Sequence, residues 1–259
     1  MNEKELIKRT IKVGNSAGVL LPKEFLNTEV KIVLQPLNIE KDVLNILMEE
    51  KMLKNVLGCY LTGSYARKEQ TIESDIDILV ITDNIDKRIT KGKYDILCVS
   101  MEELKRELNE NILPLLPMIK ESSAIINEDL IKNYLNMPLT RKNIKWHIDT
   151  TKSAMKVVKE FINLDEEEGR DVGDASSYSL ILRLRTLYII DCLSKNRLWK
   201  KEEFLNLITK ISGSLRAYER YTKSKNNNTT EHKLPIEEAK KLMNYINKKI
   251  NEVEDEFKK

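Results

Sequence analysis

The sequence predicts an α+β protein in three parts: a small N-terminal β module, a mixed β-sheet with helices, and a C-terminal helical bundle. Three observations carry that expectation. Gly14, Gly18 and Pro22 crowd into the first two dozen residues around short β-favouring runs. From about Leu37 to Pro138, apolar β-favouring runs alternate with helical patterns, punctuated by Gly58, Gly63 and Gly92. Beyond Pro138 the apolar period is helical almost to the end. The expected divisions are residues 1–36, 37–138 and 139–259.

Bulk properties narrow the class of protein. A length of 259 residues suits one or two domains and a small additional module. Lys and Arg number 44 against 41 Asp and Glu, a net charge of +3, with 41% hydrophobic and 33% charged residues. No uncharged apolar run approaches the ~18 residues of a membrane-spanning helix, so no membrane is expected. Cys59, Cys98 and Cys192 are too widely spaced for a zinc motif or a bridge framework, and the start Met-Asn-Glu-Lys-Glu lacks a secretory profile. The expected compartment is the cytoplasm. With only His147 and His232 available, a metal would be held by carboxylates, which suits a hard cation such as Mg²⁺.

In the first part, Ile7–Val13, Gly18–Leu21 and Val30–Leu34 favour strands and Pro36 closes the unit, which is too small for a core of its own. In the second, Val56–Leu61 reads as a strand, Thr62-Gly63-Ser64 as a turn, and Tyr65–Glu69 as a helix start. A strand over Ser74–Val80 follows, then a turn at Lys91-Gly92-Lys93 and a strand over Tyr94–Val99. Ser100 and Glu103 have the spacing of a helix capping box. The third part gives helices over 140–164, 176–195, 201–211, 215–223 and 235–257. The acid-rich run Asp165–Asp174 reads as a solvated link, and the polar run Lys223–Glu231 as an exposed loop.

Chemistry concentrates between Leu57 and Thr82. Backbone N–H groups at a Gly63-Ser64 turn can cradle a phosphate chain, since no bulky side chain bars its approach. Asp75 and Asp77 are two apart, so on a strand their side chains share one face with Cα atoms about 7 Å apart. Two such carboxylates repel unless a cation lies between them. Asp95 is the only acid of the next strand and could complete a two-metal site. Arg67 either meets phosphate or pairs with Glu69 or Glu73.

Gly63-Ser64-Tyr65-Ala66-Arg67, six residues, then Ser74-Asp75-Ile76-Asp77 resembles the signature of the DNA polymerase β-like nucleotidyltransferase superfamily, in particular its minimal and aminoglycoside-type members. The resemblance implies a nucleotidyltransferase core that moves a nucleoside monophosphate from a nucleoside triphosphate (NTP), ATP included, to a hydroxyl. It also implies two Mg²⁺ ions held by Asp75, Asp77 and Asp95, with Gly63 and Ser64 contacting the triphosphate. Lys68 departs from the Gly that many members carry there. The segment Ser122–Asn127 is similar to the short strand that closes the family's sheet, and the helical part to the bundle forming the acceptor wall. The acceptor is left open among a small molecule, a protein hydroxyl and an RNA end.

Lys12-Val13-Gly14-Asn15-Ser16-Ala17-Gly18, followed by an apolar pair, Pro22 and Lys23-Glu24, resembles the swapped-hairpin modules of AbrB and MazE type. That resemblance implies a homodimer with interleaved hairpins. Lys8, Arg9, Lys12 and Asn15 are groups able to meet DNA phosphates, with a purely dimerising role as the alternative. A rival function follows: a toxin–antitoxin-type regulator whose N-terminal module binds DNA while the core modifies or neutralises a partner protein. In the bundle, Arg183 and Arg185 lie on a helix apolar nearly all round, so each needs a partner, either a cleft phosphate or an acid such as Asp191. Arg141 and His147 have the loose spacing of HEPN-type ribonucleases, at a helix start instead of in a late helix. Trp146 and Trp199 are expected in the core or capping the bundle.

Overall fold

The computed structural model describes residues 6–8, 10–33, 37–72, 74–225 and 233–257. Arg9, Leu34, Pro36, Glu73, His232, most of the Lys223–Glu231 run and the side chain of Lys12 lie outside the described residues. The chain divides into two compact units, 1–39 and 40–259.

The first unit holds one antiparallel hairpin, β1 (Ile11–Val13) with β2 (Ser16–Gly18), in which Val13 faces Ser16. Gly14 turns it with φ 59°, a conformation that glycine adopts without cost. The strands are shorter than their residues favour, and neither 19–21 nor 30–33 belongs to one. β-propensity alone does not make a strand, because a ladder needs a neighbour to accept and donate its hydrogen bonds. No described residue from 6 to 33 is buried.

The second unit opens with α1 (Ile39–Glu49), β3 (Val56–Leu61), α2 (Gly63–Ala66), β4 (Ile76–Thr82), β5 (Lys87–Lys91) and β6 (Tyr94–Ser100). There follow α3 (Met101–Glu110), α4 (Leu115–Glu121), β7 (Ser123–Ile126) and α5 (Glu128–Leu135). The strands form one mixed sheet in the order β5-β6-β4-β3-β7, with β4 parallel to β6 and the other pairs antiparallel. Central β4 is apolar on both faces, as a strand covered on both sides must be. Edge strand β5 has no counterpart in the sequence reading: Lys-Arg-Ile-Thr-Lys is too charged to read as a strand. Charge is what keeps an exposed edge from pairing with other chains, and only Ile89 of it is buried.

Two corrections bear on the site. β4 begins at Ile76, whose N–H donates to Lys93 O at 2.7 Å, so Asp75 precedes the strand instead of lying within it. The helix expected over Tyr65–Glu69 is the single turn α2, after which Lys68 adopts φ 59°. A glycine would adopt that left-handed conformation without steric cost.

The bundle comprises α6 (Arg141–Glu167), α7 (Asp174–Ser194), α8 (Lys201–Ser212), α9 (Arg216–Lys225) and α10 (Ile236–Glu256), each within a few residues of expectation. The acid-rich link is shorter than read, since α6 continues through Glu167. Asp165 is 9% exposed and accepts from the Gly173 N–H at 3.1 Å while pairing with Arg170 at 3.0 Å, so it ties the link down. Apolar α7 is central and packs against α6, α9 and α10. α3 lies on α6, and Leu79 and Ile81 of β4 share one buried cluster with Leu180 and Leu184 of α7. Among the described residues no helix is long and apolar enough to cross a membrane.

Candidate active site

The turn after β3 is fastened to β4 at one point. Thr62, fully buried, donates its N–H to the Asp77 carbonyl at 2.9 Å and its hydroxyl to the same oxygen at 3.2 Å. Gly63 follows with φ 68°, and a Cβ there would lie 2.1 Å from Asp77 Oδ2. Only a residue without a side chain lets the turn rest on that carboxylate.

Asp77 is the one residue of β4 that is not buried. Its register partner across the parallel pair is Asp95 on β6, so the two side chains leave the same face from strands roughly 4.8 Å apart. Asp75 is exposed, just ahead of β4. The charge of the pair is partly offset by Arg88 on β5, whose Nε donates to Asp95 Oδ1 at 2.6 Å and whose Nη2 meets Oδ2. This hydrogen bond raises the Arg88 pKa, and the nearby charge of Asp77 acts in the same direction. Arg88 escaped the sequence reading because its strand did.

Among the described residues, no three His, Cys, Asp or Glu side chains converge as they stand to hold an ion. The donor set nevertheless fits Mg²⁺. Its oxygens are hard ligands, and Mg²⁺ ordinarily takes only one or two protein carboxylates, filling its remaining positions with water and substrate phosphates. Asp77 and Asp95 supply such a pair, and Asp75 lies two residues before Asp77, exposed and outside the strand.

On the other side of the turn, Gly63 donates its N–H to Glu121 Oε1 at 2.8 Å. Arg67 pairs with Glu69 at 2.9 Å and with Glu121 Oε2 at 2.6 Å, and its guanidinium lies 4.2 Å from the centre of the Trp199 ring. Arg185 of α7 stands 4.8 Å from that ring. The Arg67 partners are therefore Glu69, one of the two acids named for it, and Glu121, which no motif marks. Glu73 lies outside the described residues.

The profile of the nucleotidyltransferase domain matches residues 41–256. The chain belongs to that family. As a nucleotidyltransferase it transfers a nucleoside monophosphate from an NTP. No match to a curated protein was found. Two solved structures are similar at low identity. One is a nucleotidyltransferase-like protein from Exiguobacterium sibiricum 255-15, at 14% identity over 83% of this chain and 75% of that one, TM-score 0.38. The other is the spectinomycin adenyltransferase AAD(9) from Enterococcus faecialis, with ATP and spectinomycin, at 13% identity over 82% of this chain and 98% of that one, TM-score 0.42.

Other residues singled out in the nucleotidyltransferase have different surroundings. Arg183 does not pair with Asp191; its Nη1 donates to Thr150 Oγ1 at 3.2 Å, and it borders a cavity of about 550 Å³ between α6 and α7 with Val157 and Phe161. Asp191 is held instead by Lys195 at 2.8 Å and Lys249 at 2.7 Å. His147 is buried and its Nε2 accepts from the Leu113 N–H at 3.3 Å, while Arg141 is exposed, so the two do not form a joint site. Burial and the charge of Arg183 push the His147 pKa down to about 4. Trp146 is 55% exposed, so of the two positions expected of it, core or bundle cap, it does not take the core one. Cys59 and Cys98 are core thiols, which burial above all pushes up to about 12 and about 11.

Proposed function

We propose that the enzyme performs this transfer at the Gly63 turn, with Asp75, Asp77 and Asp95 as its acidic centre, Mg²⁺ as cofactor and a hydroxyl compound as acceptor. The observation that carries the reading is the in-register pairing of Asp77 with Asp95 directly beneath Gly63. A divalent cation held by Asp75, Asp77 and Asp95 would neutralise phosphate charge and lower the cost of releasing pyrophosphate.

The chain's own groups have separate tasks. The turn at Gly63 and Ser64 orients the β- and γ-phosphates, so that the α-phosphorus faces the acceptor. Asp95 accepts the proton of the acceptor hydroxyl as its oxygen bonds to the α-phosphorus. The bond from that phosphorus to the bridging oxygen breaks, and pyrophosphate departs. Arg185, held at Trp199, is the bundle residue proposed to meet the nucleotide or acceptor phosphate. Incubating the protein with each labelled NTP and a cell extract should label one acceptor. Asp75→Asn combined with Asp77→Asn should abolish that labelling; undiminished labelling in the double variant ends the proposal.

For the first unit, the reading is a homodimer, supported by apolar side chains with nothing of their own to bury against: Ile7 is 75%, Leu20 68% and Val33 71% exposed. Duplex DNA binding through Lys8, Arg9, Lys12 and Asn15 is proposed with it. Binding that weakens steeply as salt rises is the expected outcome, and a flat salt response removes this role.

A further inference from the structure

Glu121 belongs to neither motif, yet its carboxylate touches the parts of the site that differ most in origin. It stands at the end of α4 with its side chain 5% exposed. One oxygen accepts from the Gly63 N–H at 2.8 Å and the other from Arg67 at 2.6 Å. Arg67 in turn covers one approach to Trp199, and Arg185 lies on the same ring. A continuous series of contacts therefore runs from the turn above Asp77, through Glu121, Arg67 and Trp199, to α7 of the bundle.

The chemistry of each link favours a carboxylate here. A residue so little exposed to water keeps its charge only when cations and N–H donors replace its hydration. Charge-assisted hydrogen bonds to two separate donors fix both of them in direction as well as in distance. The turn needs such fixing, because Gly63 sits at φ 68° in a one-turn helix with little regular structure to hold it. Arg67 needs it too, since a guanidinium gains from an aromatic ring only when it is held over the ring's face.

We propose that Glu121 is the positioning residue of the donor site. It holds the Gly63 turn against Asp77 and Arg67 against Trp199, which keeps Arg185 of the bundle in a fixed relation to the turn. The inference rests on reading Gly63 and Ser64 as the triphosphate turn. Glu121 itself touches neither substrate nor cation; it acts through Gly63 and Arg67.

Two substitutions separate its oxygens. Glu121→Gln keeps an acceptor for the Gly63 N–H but withdraws the charge from Arg67, whereas Glu121→Ala removes both. Amide exchange at Gly63 and acrylamide quenching of Trp199, in a Trp146→Phe background, are read without nucleotide. Triphosphate KM and kcat are read in the labelling assay. Exchange at Gly63 should accelerate at least about tenfold in Glu121→Ala and far less in Glu121→Gln. Trp199 should become more accessible to acrylamide in both. The KM for triphosphate should rise roughly ten- to a hundredfold. Unaltered Gly63 exchange and Trp199 quenching in a destabilised Glu121→Ala protein overturn the proposal, since they leave Glu121 a purely structural role. If Glu121→Ala does not fold, unaltered Trp199 quenching and triphosphate KM in Glu121→Gln overturn it equally. If wild-type protein labels nothing, the donor-site reading fails by itself, while exchange and quenching still decide whether Glu121 holds the turn and the stack.

Discussion

Gly63 and Asp77 are legible in the sequence for a local reason: the turn, the spacer and the acids lie within one short stretch, so spacing alone brings them into one pattern. Glu121 and Arg88 are not legible, because each has meaning only through a partner that folding supplies. Glu121 meets Arg67 across 54 residues of chain, and Arg88 reaches Asp95 across a hairpin. His147 makes the same point, since a lone histidine in an amphipathic helix does not announce a backbone donor from another element. Its neutral Nε2 must stay unprotonated to accept from Leu113, and its pKa of about 4 lies below the ordinary 6.5. Between those values the unfolded chain binds the extra proton and the folded one does not, so stability rises with pH. The contribution, on the order of 3 kcal/mol, is fully present above about pH 6.5 and is lost as pH falls to about 4. Urea midpoints measured across that window should fall more steeply with acid for wild type than for His147→Gln.

Elements are legible where their periodicity is strong and their ends carry chemical signals. α6 illustrates this, starting where Thr140 and Asn143 satisfy each other's backbone N–H groups at 3.2 and 2.8 Å. Removing the Thr140 hydroxyl by Thr140→Ala should cost about 1 kcal/mol, and scanning calorimetry should record a fall in Tm of about 2–4 °C. Strands are legible when covered on both faces, as β4 and β6 are, because continuous apolar runs have few other uses. β5 is not, for the charges that suit its edge position conceal its alternation. The start of β4 was also beyond local reading: propensity extends it back to Ser74, but pairing with the strand after Gly92 begins only at Ile76. Asp75 is thereby released from the sheet and exposed, while Asp77 stays fixed beneath the turn.

At the scale of the molecule, the two units differ in what their own chain can bury. Residues 40–259 enclose a continuous core, whereas among residues 6–33 no described apolar side chain is fully buried. So small a unit cannot stabilise itself by apolar burial alone. Analytical ultracentrifugation of the full chain should therefore give a dimer, and Leu20→Lys with Val33→Lys a monomer that retains nucleotide labelling. The sequence by itself determined the family, the α+β class, the helical bundle and the acidic pattern at Asp75, Asp77 and Asp95, because spacing and periodicity are local properties of the chain. Only the tertiary structure decided that Asp95 stands in register with Asp77, that Arg88 holds it, and that Glu121 ties Gly63 to Arg67 and the bundle. Those relations depend on strand pairing and on contacts between distant segments, and no local pattern of residues specifies either.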